Sequence, residues 1–395
     1  MDTASRFRCA SVSKMFTVTA AALMVQAGRL DLDAPITAYA DWPAESVATA
    51  RQLSGHLGGI AHYQGEDRIE RSRHYESVSQ ALEVFRNSPR AGPPGADYVY
   101  STHGYTLLSA VVEGAAGRPF LEVLDTEVYG PLELRGSGPD MRSSPHPDMA
   151  TLYGRRGAAP FAIPRPEDPS YKWAGGGLTS TPTDLVTLAS AYYDPDFLDP
   201  EFVREMWTSQ RTTDGEATGV GIGWRIGTDH FDRAVIHHSG SMGGARSTLV
   251  LFPEETAAIA VMTNVVWPSS IREIAELLME AWRTDRSNAG RGGLTTEGTV
   301  AYAGGFNNAR DSTSTPTEGE LHLEHGDGWI SMPGPIAEWT EELAVERMPV
   351  RHLRDDLYVL VMPYGLVPLR LEATASGIRG RAQVTGTRSW EFESG

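Results

Sequence analysis

The chain has 395 residues, 41% of them hydrophobic and 22% charged, with a formal net charge of −17. That length exceeds one typical domain and supplies enough apolar residues for a packed core. The negative charge excludes nucleic acid and anionic membrane as natural partners, and no stretch reaches the length of a membrane span. A single cysteine, Cys9, excludes an internal disulfide framework and leaves the redox compartment open.

In chain order, the first predicted element is a helix from Ser11 to Ala27. Ser11 is a good N-cap, Met15, Phe16, Val18, Leu23 and Met24 are apolar, and Gly28 is a typical stop. On this helix Ser11 and Lys14 share a face, one turn apart. A serine hydroxyl is a weak nucleophile until its proton is taken, and a desolvated lysine can take it. The pattern S-x-x-K by itself also fits a capped helix followed by a surface lysine. Ser13 competes as nucleophile but adjoins Lys14, and adjacent helical positions do not face each other.

Residues 31–60 read as loops and a short helix. Helices are predicted over Tyr75 to Asn87, Gly104 to Ala116 and Pro119 to Leu132, followed by a loop over 136–148. Thr181 caps a helix through Tyr193, with Pro182 in its first turn and Asp184 favouring its dipole. From residue 217 the period shortens. Gly219 to Ile226, Arg233 to His238, Ser247 to Phe252 and Ala257 to Asn264 read as a strand meander. Ile271 to Arg283 is an amphipathic helix expected to pack on that sheet. These elements predict an α+β domain over 1–286, with a groove between sheet and helical lobe. Ser287 to Gly293 reads as a linker. Thr299 to Ala303, Glu320 to His325, Trp329 to Met332, Leu357 to Met362, Val367 to Ala373 and Trp390 to Glu393 then predict an all-β module over 287–395.

Two further motifs follow S-x-x-K. Tyr100-Ser101-Thr102 comes after the turn-rich Gly92-Pro-Pro-Gly95, and His238-Ser239-Gly240 precedes the apolar run Leu249 to Phe252. The order S-x-x-K, Y-x-[N/T], [K/H]-[S/T]-G resembles the serine β-lactamase and penicillin-binding protein superfamily in its class C-like branch. Gly28 to Asp33, Gln52 to Ile60 and Tyr171 to Thr181 also resemble landmarks of that superfamily. With Gly55 to Tyr63, Tyr100-Ser-Thr and Ser170 to Gly177, the chain is most similar to a subgroup of mitochondrial and bacterial serine β-lactamase-like proteins. The similarity runs over roughly the first 285 residues.

The resemblance implies an antiparallel sheet with a helical lobe, and a lipocalin-like barrel appended behind it. It implies Ser11 as nucleophile, Lys14 as its base or proton relay, and Tyr100 as general acid/base. Tyr100 is one of fourteen tyrosines, and its place in the motif is what singles it out. It implies His238 as a further catalytic residue that orients substrate or shares proton traffic, and Thr102, Ser239, Gly240 and Ser241 as substrate contacts, with the backbone N–H groups of Ser11 and Ser241 facing the oxyanion. Thr102 offers one hydroxyl where β-lactamases carry an amide, and His238 stands where they carry lysine. Both changes favour esterase, amidase or peptidase chemistry on a small-molecule or peptide substrate. A titrating His238 predicts a change in kcat/KM between about pH 5.5 and 7.5. Strand alternation would turn His237 away. His56 and His62 are expected to do structural work. The remaining histidines show no ligand spacing, so neither metal nor cofactor is expected.

Acyl transfer, true β-lactamase activity, and a catalytically weak scaffold or filament-forming role are the alternatives that the resemblance leaves open. It also implies a helix and two strands before the S-x-x-K helix. The ten residues before Ser11 match only the last piece of that region, with no signal peptide, so a late-starting gene reading is expected. Localisation is left open, cytoplasmic if the start is real, and the oligomeric state is unassigned.

Overall fold

The computed structural model describes all residues except 1–2, 44–46, 65–66, 157–158, 164–166, 230–231, 266–270, 288–293, 295–297, 309–311, 325–326, 332–346, 363–364, 386–387 and 395. The chain divides into two compact units, Met1–Gly154 with Ala162–Val266, and Arg155–Phe161 with Trp267–Gly395. The linker predicted before Gly293 falls almost wholly outside the described residues, as does Met332.

The first unit carries helices α1 (Ser13–Gln26), α2 (Ala50–Ser54), α3 (Val78–Leu82), α4 (Thr102–Ala116), α5 (Phe120–Val123), α6 (Trp173–Gly176), α7 (Pro182–Ser190) and α8 (Pro200–Met206). Its strands are β1 (Phe7–Arg8), β2 (Gly138–Pro139), β5 (Leu178–Ser180), β6 (Arg225–Thr228), β7 (Ala234–Met242), β8 (Ala245–Phe252) and β9 (Ala257–Thr263). A small ribbon, β3 (Tyr153–Arg156) and β4 (Ala159–Ala162), lies between β2 and β5 in sequence. The main sheet runs β6-β7-β8-β9, all antiparallel, and a second sheet runs β1-β5-β2.

α1 is buried all round, polar residues included, which makes it the central helix of the unit. Thr17 and Thr19 satisfy their hydroxyls on the carbonyls of Ala174 and Met15. α4 begins at Thr102, two residues before the expected Gly104, with Ser101 accepting from the Gly104 amide, and ends at the left-handed Gly117. The helix expected over Tyr75 to Asn87 shrinks to α3; Val84 and Phe85 still reach the core, through turns. The run Gly219 to Ile226 becomes strand only at Arg225. Gly219 and Gly223 take left-handed φ values of 69° and 84°, and a Cβ on Gly221 would stand 2.1 Å from the Met206 carbonyl oxygen. Those glycines let the segment wind beneath α8 and against Val18 rather than extend.

The second unit is a closed barrel of β10 (Gly298–Asn308), β11 (Thr313–Glu324), β12 (Asp327–Ser331), β13 (Arg347–Arg354), β14 (Leu357–Met362), β15 (Gly365–Ala373), β16 (Ile378–Thr385) and β17 (Arg388–Ser394). The expected all-β module is thus present, and β10 pairs with β17 to leave no edge. Helix α9 (Ile271–Ser287), expected on the main sheet, packs against β15. The sequence reading missed β13 and β16. β16 turns Ile378, Gly380 and Ala382 inward, and small residues give no apolar alternation; Gly380 leaves room for the Phe392 ring. Trp390, Phe392, Tyr302 and Tyr358 fill the interior, so the barrel is a packed core.

β1 sets the approach to α1, and a buried ion pair fixes it. Arg8 Nε lies 2.6 Å from Asp140 Oδ2, with side-chain exposures of 1% and 2%. Removing one partner strands the other charge in the interior. Asp140→Ala is therefore expected to cost about 3–5 kcal/mol, read as a lowered urea midpoint by circular dichroism.

Candidate active site

The Cys9 amide donates to the Leu178 carbonyl at 2.9 Å, and the Ser247 hydroxyl donates to the Cys9 carbonyl. Ala10 then takes a left-handed φ of 46°, and Ala10–Val12 form a single 3-10 turn before α1. A non-glycine residue in that conformation is strained and is retained where the surroundings enforce it. The turn changes the expected role of Ser11 in the helix. Val12, not Ser11, is the N-cap of α1, and no side chain caps it. The Ser11 hydroxyl instead accepts a 2.8 Å hydrogen bond from the Tyr100 hydroxyl.

Lys14 follows one turn later and is fully buried. Its Nζ donates to the Gly175 carbonyl at 2.6 Å and to Thr102 Oγ1 at 3.5 Å. It also lies 4.9 Å and 5.1 Å from the ring centres of Tyr100 and Tyr105. Among the described residues it makes no hydrogen bond to Ser11; Tyr100, expected as general acid/base, is the group bonded to that hydroxyl. Burial pulls the Lys14 ammonium below its ordinary pKa; Tyr100 opposes this, and the Arg225 and Lys172 charges add to it. Burial alone would raise the Tyr100 phenol. Lys14, the hydrogen bonds shared with Lys14 and Ser11, and Arg225 outweigh it and bring the phenol below 10.

β7 carries the third motif past this group. A Cβ on Gly240 would stand 2.7 Å from Ser11 N and 2.5 Å from the Cys9 carbonyl oxygen, an approach only glycine permits. Ser241 is exposed beyond it. The Ser239 hydroxyl is engaged within the sheet by Thr248 Oγ1 at 2.9 Å. His238 is buried, its ring centre 6.5 Å from that of Tyr100, with Nδ1 donating to the Ser239 carbonyl at 2.9 Å. Burial, then the charges of Lys14 and Arg225, hold His238 well below the ordinary histidine pKa. Its burial and the neighbouring cations thus disfavour the protonated ring and the titration expected of it near neutrality.

A cavity of about 390 Å3 opens on Ser11, lined from the expected set by Tyr100, Thr102 and Ser241. Lys14, His238, Ser239 and Gly240 stand behind its wall. A larger depression of about 570 Å3, bounded by Tyr39, Arg86, Glu113 and Phe120, gathers none of these residues. Among the described residues no three His, Cys, Asp or Glu side chains cluster as metal ligands would.

The sequence reading left three sets of neighbours without a part in the site. His56 Nδ1 and His62 Nδ1 each accept, at 3.2 Å, from the backbone amides of Ser101 and Thr102. They hold the start of α4, and so Tyr100, in place; the spacing Gly55-His-Leu-Gly-Gly marked that loop without saying what it holds. Both are neutral, His62 being lowered to about 4 chiefly by burial. Arg225 donates to the Tyr98 hydroxyl at 3.2 Å and lies 5.6 Å from the Tyr100 ring centre. Nothing in its local sequence distinguishes it. Arg71, Glu167 and Lys172 line the far part of the cavity.

The Tyr100 ionisation is directly observable. In the tyrosinate absorbance difference between the protein and Tyr100→Phe, one phenol is expected to titrate below pH 10. Arg225→Gln removes a cation, disfavours the phenolate and moves that titration up. His238→Gln replaces a neutral group and leaves it in place.

A family model described as Beta-lactamase matches residues 1–281. The mouse protein "Serine beta-lactamase-like protein LACTB, mitochondrial" (Mus musculus) is 25% identical, over 65% of this chain and 65% of its own length. "Penicillin-binding protein 4*" of Bacillus subtilis is 23% identical, over 67% of this chain and 62% of its own. The chain thus spans just under two thirds of the length of these curated relatives. An octameric penicillin-binding protein homologue from Pyrococcus abyssi superposes with a TM-score of 0.59 at 18% identity, covering 98% of this chain and 88% of the other. The fold is the β-lactamase/transpeptidase type with a C-terminal barrel.

Proposed function

The chain belongs to the beta-lactamase family, and we propose that it is a serine hydrolase that forms an acyl-enzyme at Ser11. The observation that carries this reading is the 2.8 Å contact between Tyr100 and Ser11, backed by the buried Lys14. Tyr100, as phenolate, takes the Ser11 proton while Oγ attacks the carbonyl carbon of an ester, amide or peptide. The Lys14 ammonium and the Arg225 guanidinium hold the phenolate form. Negative charge developing on the carbonyl oxygen faces the N–H groups of Ser11 and Ser241. Tyr100 then returns its proton to the leaving group, and the same residue activates water against the acyl-enzyme. The balance between water and an amine or alcohol as acceptor separates hydrolysis from acyl transfer.

A fluorophosphonate probe is expected to add once, at Ser11, by intact-mass and peptide-mapping spectrometry. Ser11→Ala abolishes the adduct, and Tyr100→Phe slows ester turnover about 10²–10⁴-fold. An adduct on Ser13, or one that survives Ser11→Ala, overturns the assignment of Ser11, whereas the absence of any adduct favours the scaffold reading.

Lactams test the substrate class. A neutral His238 gives a lactam carboxylate no cation at that position, and Thr102 is approached by Lys14 rather than left free for an amide. Each missing bond to a charged group costs about 1.5–3 kcal/mol, so even partial addition makes β-lactams slow substrates. kcat/KM for p-nitrophenyl butyrate is expected to exceed that for nitrocefin. The reverse order identifies a working β-lactamase.

A further inference from the structure

One part of the same cavity carries three charged side chains that the chemistry at Ser11 does not use. Glu167 takes a hydrogen bond from Lys172 Nζ at 2.8 Å on one oxygen and pairs with Arg71 Nη1 at 2.7 Å on the other. Glu167 and Lys172 are each 9% exposed, whereas Arg71 is 69% exposed. The backbone around them is tied: the Asp168 amide donates to the Arg71 carbonyl at 2.6 Å, His74 contacts Asp168 at 3.0 Å, and the Tyr75 amide donates to Ser170 Oγ at 2.8 Å. Arg71 is thus an exposed side chain on a fixed support.

The charge balance of this wall is unlike that of the molecule. Among the described residues that line the cavity, the charged groups are Arg71, Lys172 and Glu167, and His62 is neutral. Two cations share one carboxylate, so the wall is net positive on a chain of net charge −17. Both oxygens of Glu167 are engaged by the two cations, which together outweigh its single negative charge. Each cation keeps further N–H donors beyond the one it gives to Glu167. The cluster also has a side. Tyr100, which protonates the leaving group, has Arg225 and His238 along one flank; Lys172 instead lies 5.8 Å from the ring centre of Tyr63, which lines the cavity beside Thr102.

We propose that Arg71 and Lys172 form an anion subsite that selects substrates with a carboxylate on the acyl portion. Glu167 orients the two cations and moderates their charge until the substrate carboxylate joins them. A charge-assisted, two-pronged contact of this kind is geometrically specific as well as attractive. The inference rests on the acyl-enzyme reading of Ser11 and names the substrate class for that site.

The test compares the mono-p-nitrophenyl ester of adipic acid with p-nitrophenyl hexanoate, each corrected for its spontaneous rate. The ratio of kcat/KM values, acidic over neutral, is expected to be roughly ten or more at low salt and to fall as salt screens the contact. Arg71→Glu should invert the ratio, Arg71→Lys should keep most of it, and Glu167→Gln should raise it. Because the readout is a ratio within each variant, a general loss of activity does not move it. A ratio near one that is unchanged in Arg71→Glu overturns the subsite. So does a preference confined to 4-carboxyphenyl hexanoate, whose carboxylate is on the leaving group. Failure of the underlying reading looks different: ester turnover would then survive Ser11→Ala.

Discussion

A fully buried ammonium is the constraint around which the first unit is organised. Lys14 enters the interior on a helix that is buried on every side, so it must find acceptors there or lose its proton. It finds the Gly175 carbonyl, the Thr102 hydroxyl and the Tyr100 phenol, which come from two separate stretches of chain, 100–102 and 175. Meeting that demand locks α1, α4 and α6 together. Gly175 shows how tight the arrangement is, since a Cβ there would stand 2.6 Å from the Thr102 methyl carbon. The same requirement that stabilises the packing also assembles the chemistry.

The electrostatics follow from that burial. Neutral imidazoles surround the Lys14–Tyr100 pair: His56 and His62 as acceptors for the first amides of α4, His238 as a ring behind Tyr100. Each is neutral because burial and the nearby cations disfavour its protonation. Positive charge near the phenol therefore comes from Lys14 and Arg225 rather than from these imidazoles. A lysine at position 238 would have added a further cation; a histidine there leaves the tyrosine to be tuned by Lys14 and Arg225.

The main sheet and the small one serve to place the nucleophile. β1 is held by the Arg8–Asp140 pair and by β5, and β7 crosses close enough that residue 240 has to be glycine. Between these two supports the strained Ala10 turn presents Ser11 toward Tyr100. The barrel solves a different problem. Its strands close on themselves and its aromatic residues fill the interior, so it folds around a core of its own.

The sequence by itself determined the helix carrying Lys14, the cap at Thr181, the strand of His238 and the all-β character of the last hundred residues. Each of these is written in local spacing, capping residues or alternation, which act over a few positions. What only the tertiary structure decided is which groups meet. That Ser11 is joined to Tyr100 and not to Lys14 depends on the turn at Ala10 and on the entry angle of α4. His238 gives no sign of its neutrality in its own neighbourhood of sequence, because desolvation and distant cations set it. Arg225 and Arg71 were unremarkable as letters, and Lys172 stood in a recognised stretch without a role; their place beside the phenol or in the cavity wall comes from long-range packing. β16 was hidden for the opposite reason: its inward positions are small so that residues from another strand can fill the space. Local pattern fixes elements, whereas burial and proximity fix charge, and those two exist only once the chain has folded.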